Sequence, residues 1–201
     1  ILGGAKVSDK IGVIENLLPK ADAILIGGGM AYTFLKARGE NIGNSKLEAD
    51  KIDLAKELME KAKKSNVKFS LPVDHVVTDS IEPVGQVKKV KEIPDGFIAV
   101  DIGEDTIKIF KDSLKDTKTI CWNGPLGISE IDAFANGTKS IAEFISNLQA
   151  TTIIGGGDTA AAIAKFKLQD KMTHISTGGG ASLEYMEGKI LPGIAALTDR
   201  K

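Results

Sequence analysis

The sequence predicts an α/β fold in three layers: an open, mainly parallel six-stranded sheet with helices on both faces. Apolar, β-branched runs of strand length alternate with stretches whose apolar residues recur at helical spacing. Glycine triplets at Gly27 to Gly29, Gly155 to Gly157 and Gly178 to Gly180 each follow such a run. The chain has 201 residues, 42% hydrophobic and 26% charged, which suits one large core and a reading of residues 1–201 as a single domain. Repeated strand-then-helix units favour parallel pairing with helices packed on either side of the sheet.

In chain order, Ile1 and Leu2 read as the stub of a strand running into GGAKVSDKI. Val7, Ile11, Ile14, Leu17 and Leu18 lie at helical spacings, and on such a helix Lys6 and Lys10, four apart, share a face. The same spacing also fits a solvated basic face. A strand over 22–26 precedes the first triplet and a helix over 30–38 that stops at Gly39. Residues 47–64 form an amphipathic covering helix without chemistry of its own, and 67–73 the next strand. His75 then reads as a loop or packing residue, since no second metal-type ligand stands at useful spacing.

A short strand is expected over 85–90 and a longer one over 97–102, which enters Gly103 and a helix over 104–114. The strand over 119–122 ends in the turn Asn123-Gly124-Pro125, and a helix over 132–148 follows. The clearest unit is TTIIGGGDTAAAIAK, a strand over 151–154, a glycine turn, and a helix over 159–165 with Asp158 and Thr159 in its first turn. His174 to Ser176 lead through Thr177 to the last triplet and a helix over 181–187, His174 being a strand-end packing residue. The tail from Lys189 is too short for another unit.

Net charge is −1, so no global basic field draws nucleic acid or membrane, and phosphate binding must rest on local groups. The single cysteine, Cys121, has no disulfide partner, and with no long apolar span this fits a cytosolic setting. Helix N-termini carry unpartnered amides and partial positive charge, and glycines let a phosphate approach the backbone. A carboxylate there repels phosphate unless a cation lies between them, which makes Asp158 a candidate Mg²⁺ ligand shared with phosphate oxygens. In an open, Rossmann-like sheet such sites lie beyond the carboxyl ends of the strands.

ILGGAKVSDKI, IGGGMAYTFLK, LPVD, CWNGPLGISE, IIGGGDTAAA and STGGGASLEYMEGKILPG together resemble the carboxy-terminal, nucleotide-binding domain of the phosphoglycerate kinase family. The resemblance implies reversible phosphoryl transfer between 1,3-bisphosphoglycerate and Mg-ADP, giving 3-phosphoglycerate and Mg-ATP in glycolysis. It further implies a cytoplasmic two-domain monomer whose phosphoglycerate-binding amino-terminal domain is not in these residues. The chain alone is therefore expected to bind nucleotide without completing the reaction. The resemblance assigns Lys6 and Lys10 to the nucleotide phosphates and the transferring group, and Gly178, Gly179 and Gly180 to the phosphoryl group in flight. It assigns Gly27, Gly28, Gly29 and Gly103 to the adenine, Asn123 to the phosphate chain, Pro125 and Ile128 to the cleft, and Glu130 to the ribose. Asp158 would associate with Mg²⁺, and Gly156, Gly157 and Thr159 would surround the phosphates.

Gly155, Gly157 and Ala160 also satisfy the G-x-G-x-x-G/A pattern of dinucleotide-binding dehydrogenases, but no carboxylate ends the following strand where that pattern needs one. A non-catalytic nucleotide-binding module is a further alternative. A P-loop enzyme is unsupported, because the GxxxxGK[ST] string is missing.

Overall fold

A computed structural model describes residues 1–176 and 178–197, so the expected strand end at Thr177 and the last four residues lie outside the described part. The elements are α1 (Ile11–Leu17), β1 (Ala23–Leu25), α2 (Ala31–Ala37), α3 (Ile52–Lys64), β2 (Lys68–Ser70), β3 (His75–Thr78), β4 (Val87–Val90) and β5 (Ile98–Ile102). They continue with α4 (Glu104–Leu114), β6 (Thr119–Asn123), α5 (Asn136–Ile145), β7 (Thr151–Gly155), α6 (Gly157–Lys165), β8 (His174–Ile175), α7 (Gly179–Met186) and α8 (Pro192–Ala195).

The α/β class holds, with the parallel strands arranged in pieces. β1 pairs with β2, and β6, β7 and β8 form a parallel triple. Leu2 joins the two groups by parallel bridges to Ile26 on one side and Asn123 on the other. Strand alternation then divides the core between two faces. Ile24 and Ile26 pack into a cluster with Ile14 of α1, Phe34 of α2 and Leu58 of α3. Leu25 turns the other way, into a cluster with Phe110 of α4, Ile141 of α5, Ile163 of α6 and the buried Trp122.

Several sequence expectations are corrected. The simple alternation of six strands each trailed by a helix fails between residues 68 and 102, where β2, β3, β4 and β5 follow one another without a helix. There β3 pairs antiparallel with both β4 and β5, so the strand expected over 97–102 belongs to a separate antiparallel sheet. The physical reason is that residues 79–86 between β3 and β4 are too few for the crossover that parallel pairing requires, and the exposed Lys88 and Lys89 of β4 suit the open edge of this sheet. The strand expected over 67–73 ends at Ser70, and His75 is a strand residue rather than a loop residue, only 2% exposed. Its ring lies 5.7 Å from that of Tyr32, the packing role expected of it. The helix expected to carry Lys6 and Lys10 begins only at Ile11, so helical spacing does not apply to that pair. The tail forms a single helical turn at α8, stabilised at its start by Pro192.

His75 has a consequence for stability. Burial pulls its pKa from 6.5 down to about 4, and its Nδ1 has no hydrogen-bond partner. Because the unfolded chain takes up the proton first, this contribution to stability is lost as pH falls from 6.5 through 4. Urea unfolding of the wild type and His75→Phe near neutral pH and near pH ~4.5 should show the variant losing about 2 kcal/mol less on acidification. Equal losses would mean that His75 does not titrate across the transition.

Gly28 provides a second test of the fold. Its φ is +65°, and a methyl group added there would stand 2.6 Å from Gly4 N and 2.8 Å from Pro125 O. Gly28→Ala is therefore expected to cost roughly 2–4 kcal/mol, from strain plus overpacking, in the same unfolding assay. A change within ~0.5 kcal/mol would show that the junction yields easily.

Candidate nucleotide cleft

Three loops leave the carboxyl ends of the strand at Leu2, of β1 and of β6, and they are locked to one another by backbone hydrogen bonds. Gly3 N donates to Asn123 O at 2.9 Å, Gly4 N to Pro125 O at 3.0 Å, Gly27 N to Leu2 O at 2.9 Å and Gly28 N to Leu126 O at 3.0 Å. Side chains have no room here, since a methyl group on Gly3 would stand 2.1 Å from Pro125 O and one on Gly124 2.3 Å from Gly3 C. The glycines thus let three backbones touch.

Beside this junction opens a cleft of about 310 Å³. One wall carries Gly4, Ala5, Gly28, Gly29, Tyr32 and Lys46, and the opposite wall Pro125, Leu126, Gly127, Ile128 and Glu130. Ile81 and the β5 residues Ile98, Ala99 and Val100 add apolar surface, and Asp158 joins from the start of α6. A larger groove, about 570 Å³, surrounds Asp22, Asp116 and Lys118 at the amino ends of the strands, and no candidate binding or catalytic residue from the sequence is among those that line it.

The cleft thus brings together Gly28, Gly29, Pro125, Ile128, Glu130 and Asp158 from the expected set. Lys10 and Asn123 meet beneath it. Lys10 is 7% exposed, and its Nζ donates to Asn123 Oδ1 at 2.7 Å. Burial pulls the Lys10 pKa below its ordinary value, while the carboxylates of Asp9, Asp158 and Glu187 oppose that pull. An ammonium can only donate, which fixes the Asn123 oxygen toward Lys10 and leaves Asn123 Nδ2 as the free donor. Among the described residues that buried nitrogen has no partner, and it lies 3.1 Å from where a β-carbon on Gly156 would stand. Gly156 has φ 89° and caps α6, whose first-turn amides lack helical partners. Asp158 thus enters the lining from the α6 end, with the Lys10–Asn123 pair beneath the cleft, and β5 adds apolar surface.

Other expected residues stand elsewhere. Lys6 is exposed and not part of the cleft lining. Gly27 packs under Leu126, where an added methyl group would lie 2.4 Å from Cδ2. Gly103 begins α4 against the Asp74 carboxylate, which caps that helix by accepting from Asp105 N at 2.9 Å and Thr106 N at 2.8 Å, so Gly103 serves the helix end rather than the cleft. Thr159 is fully buried and its Oγ1 accepts from Gly124 N at 2.7 Å, so the hydroxyl fixes the turn and does not face a ligand. Gly157 opens α6, and Gly178 precedes α7, whose first residues are Gly179 and Gly180. Gly157, Gly178 and Gly180 are not among the residues that line the cleft.

Sequence reasoning missed two residues that shape the walls. Lys165 donates to Ser129 O at 2.9 Å and Glu130 O at 3.0 Å and pairs with Asp132 at 2.6 Å, pinning the wall that carries Glu130. Asp101 is 1% exposed and accepts from Gly137 N at 2.6 Å, and an added methyl group on Gly127 would meet its Oδ1 at 2.3 Å. Burial pushes its pKa up to about 7, against the two backbone amides that it accepts from. No local motif marks either residue, because their partners lie 36 positions away in the chain.

Among the described residues no group of three or more His, Cys, Asp or Glu is placed to hold a metal. Asp158, exposed at the cleft, fits a Mg²⁺ ion that arrives with phosphate oxygens, a mode needing only one or two protein carboxylates. Also among the described residues, no helix is long and apolar enough to cross a membrane.

Comparisons with known proteins show the family of the chain. A sequence profile for phosphoglycerate kinase matches residues 1–189. The chain is 56% identical to the phosphoglycerate kinase of Pseudothermotoga lettingae, covering all of this chain (100%) and 51% of that protein. It is 60% identical to that of Latilactobacillus sakei, covering 100% and 49%. The solved phosphoglycerate kinase of Coxiella burnetii superposes with a TM-score of 0.90 at 44% identity, over 94% of this chain and 50% of that one. The chain spans about half the length of these relatives. The profile covers nearly every residue, including both walls of the cleft, and the chain belongs to the phosphoglycerate kinase family.

Proposed function

We propose that the chain is the nucleotide-binding half of a phosphoglycerate kinase, taking Mg-ADP or Mg-ATP in the cleft between Gly28 and Ile128. The observation that carries this reading is a cleft with apolar surface at β5 and the exposed Asp158 of the α6 first turn in its lining, beneath which Lys10 donates to Asn123. A flat base suits the β5 surface and a phosphate chain the α6 end. The family match disfavours the dehydrogenase alternative.

In this reading a β-phosphate oxygen of ADP attacks the phosphorus of the acyl phosphate. The bond from phosphorus to the carboxyl oxygen breaks, and 3-phosphoglycerate leaves as a carboxylate with ATP formed. The nucleophile is already anionic, so no general base is required, and catalysis rests on positioning and charge. In this reading Lys10, held by Asn123, and the exposed Lys6 offset phosphate charge, and Gly178, Gly179 and Gly180 would present amides to the transferring group. Mg²⁺, carried by the phosphates and Asp158, would offset their charge. The second substrate, 1,3-bisphosphoglycerate or 3-phosphoglycerate, belongs to the other half of a cytoplasmic two-domain monomer, so these residues alone bind nucleotide without turnover.

Calorimetric titration of ADP with and without Mg²⁺ tests the assignment. The wild type should bind Mg-ADP saturably, and Asp158→Asn should cut the ratio of the two affinities by about tenfold, because repulsion toward metal-free ADP falls as the metal contact is lost. NAD binding in preference to ADP would overturn the reading. An unchanged ratio would reduce Asp158 to a residue that stabilises the α6 N-terminus.

A further inference from the structure

Lys46 is a cation at the end of the cleft that is otherwise apolar. Its loop is hooked to the β5 wall, with Asn44 N donating to Phe97 O at 2.8 Å and Ser45 Oγ accepting from Ala99 N at 2.9 Å. Two residues further on, Glu48 N donates to Thr33 Oγ1 at 3.2 Å, and the Glu48 carboxylate accepts from Ser8 Oγ at 2.6 Å. The loop that carries Lys46 is thus held on both sides of it. A methyl group on Gly29 would lie 3.4 Å from its Cδ, so the stem runs along the Gly29 backbone at the cleft wall. Among the described residues Lys46 forms no ion pair. The lysine beneath the cleft, Lys10, is by contrast hydrogen-bonded to Asn123 and felt by Asp158.

Resting on the nucleotide reading, we infer that Lys46 sets the base preference of the cleft, favouring purines with a carbonyl oxygen at C6 over those with an amino group there. An ammonium has three donors and no acceptor. Guanine and hypoxanthine present an acceptor at C6, whereas adenine presents an amino group there that meets the ammonium donor to donor. Wall residues such as Ile98, Val100 and Ile128 offer apolar contact to any purine and do not discriminate at C6. Lys46 is therefore the group in this part of the lining that tells the bases apart.

The test is calorimetric titration of the wild type, Lys46→Leu and Lys46→Arg with Mg-ADP, Mg-GDP and Mg-IDP. IDP lacks the 2-amino group of guanine and so isolates the C6 oxygen. Lys46→Leu should weaken GDP and IDP by about five- to tenfold while ADP stays within about twofold, and Lys46→Arg should retain the wild-type preference. Lys46 is exposed and outside both cores, and unchanged thermal melting of the variants will establish that their fold is intact. A uniform loss for all three nucleotides would overturn the inference by assigning Lys46 to the phosphates, and unchanged affinities would overturn it by removing Lys46 from the ligand. If the wild type bound none of the three, the nucleotide reading itself would fall and the inference with it.

Discussion

Gly3, Gly28 and Gly124 meet backbone to backbone where three parallel strands end, and the ligand edge of the molecule depends on that contact. Because no β-carbon intervenes, the loops after Leu2, β1 and β6 lie within hydrogen-bonding reach of one another, with carbonyls and amides paired across the gap. The closeness has two effects. It joins the β1–β2 pair to the β6–β7–β8 triple through the single residue Leu2, and it holds the two walls of the cleft at a fixed spacing. Any side chain at these positions would separate the strands and widen the cleft together, so fold and site share one constraint.

Around that junction the polar groups fall into two kinds. Lys165, Asp101, Asp74 and Thr159 spend their hydrogen bonds on backbone, on the carbonyls of Ser129 and Glu130 and on the amides of Gly137, Thr106 and Gly124, so they stiffen loops. Asn123 Nδ2, the first turn of α6, Asp158 and Lys46 retain capacity for a ligand. A buried amide donor without a partner costs about 1–3 kcal/mol, a cost that binding of a phosphate oxygen there would relieve. The division separates groups that hold the cleft from groups that recognise what enters it.

Much of the fold could be read in the sequence, and the misses have physical causes. β1, β6 and β7 with their glycine turns were legible because a fully buried parallel strand is a short apolar run with an abrupt end. The antiparallel sheet was not, since β3 follows β2 after only four residues and the parallel reading absorbed that stretch. Among the cleft-lining residues, Gly28, Gly29, Pro125, Ile128, Glu130 and Asp158 stand in local strings that the sequence marks. Lys165 and Asp101 act on partners distant in sequence, Lys46 reaches the cleft through distant contacts of its neighbours Asn44 and Ser45, and a glycine before a helix, as at Gly103, marks a helix end capped by Asp74 as readily as a ligand turn. Lys6 and Lys10 illustrate the limit of spacing arguments. Four residues apart, they would share a face only on a helix, and the helix starts after them.

The central claim is that the glycine junction and the β5 wall form the nucleotide site, at the carboxyl ends of the strands. Amide NMR spectra recorded while Mg-ADP is added test it most directly. The account predicts that the signals of Gly28, Gly29, Lys46, Val100, Ile128 and Asp158 move with saturable dependence on nucleotide, while those of Asp22, Asp116 and Lys118 in the opposite groove stay in place. Shifts concentrated at Asp22, Asp116 and Lys118, with Gly28 and Ile128 unmoved, would contradict it.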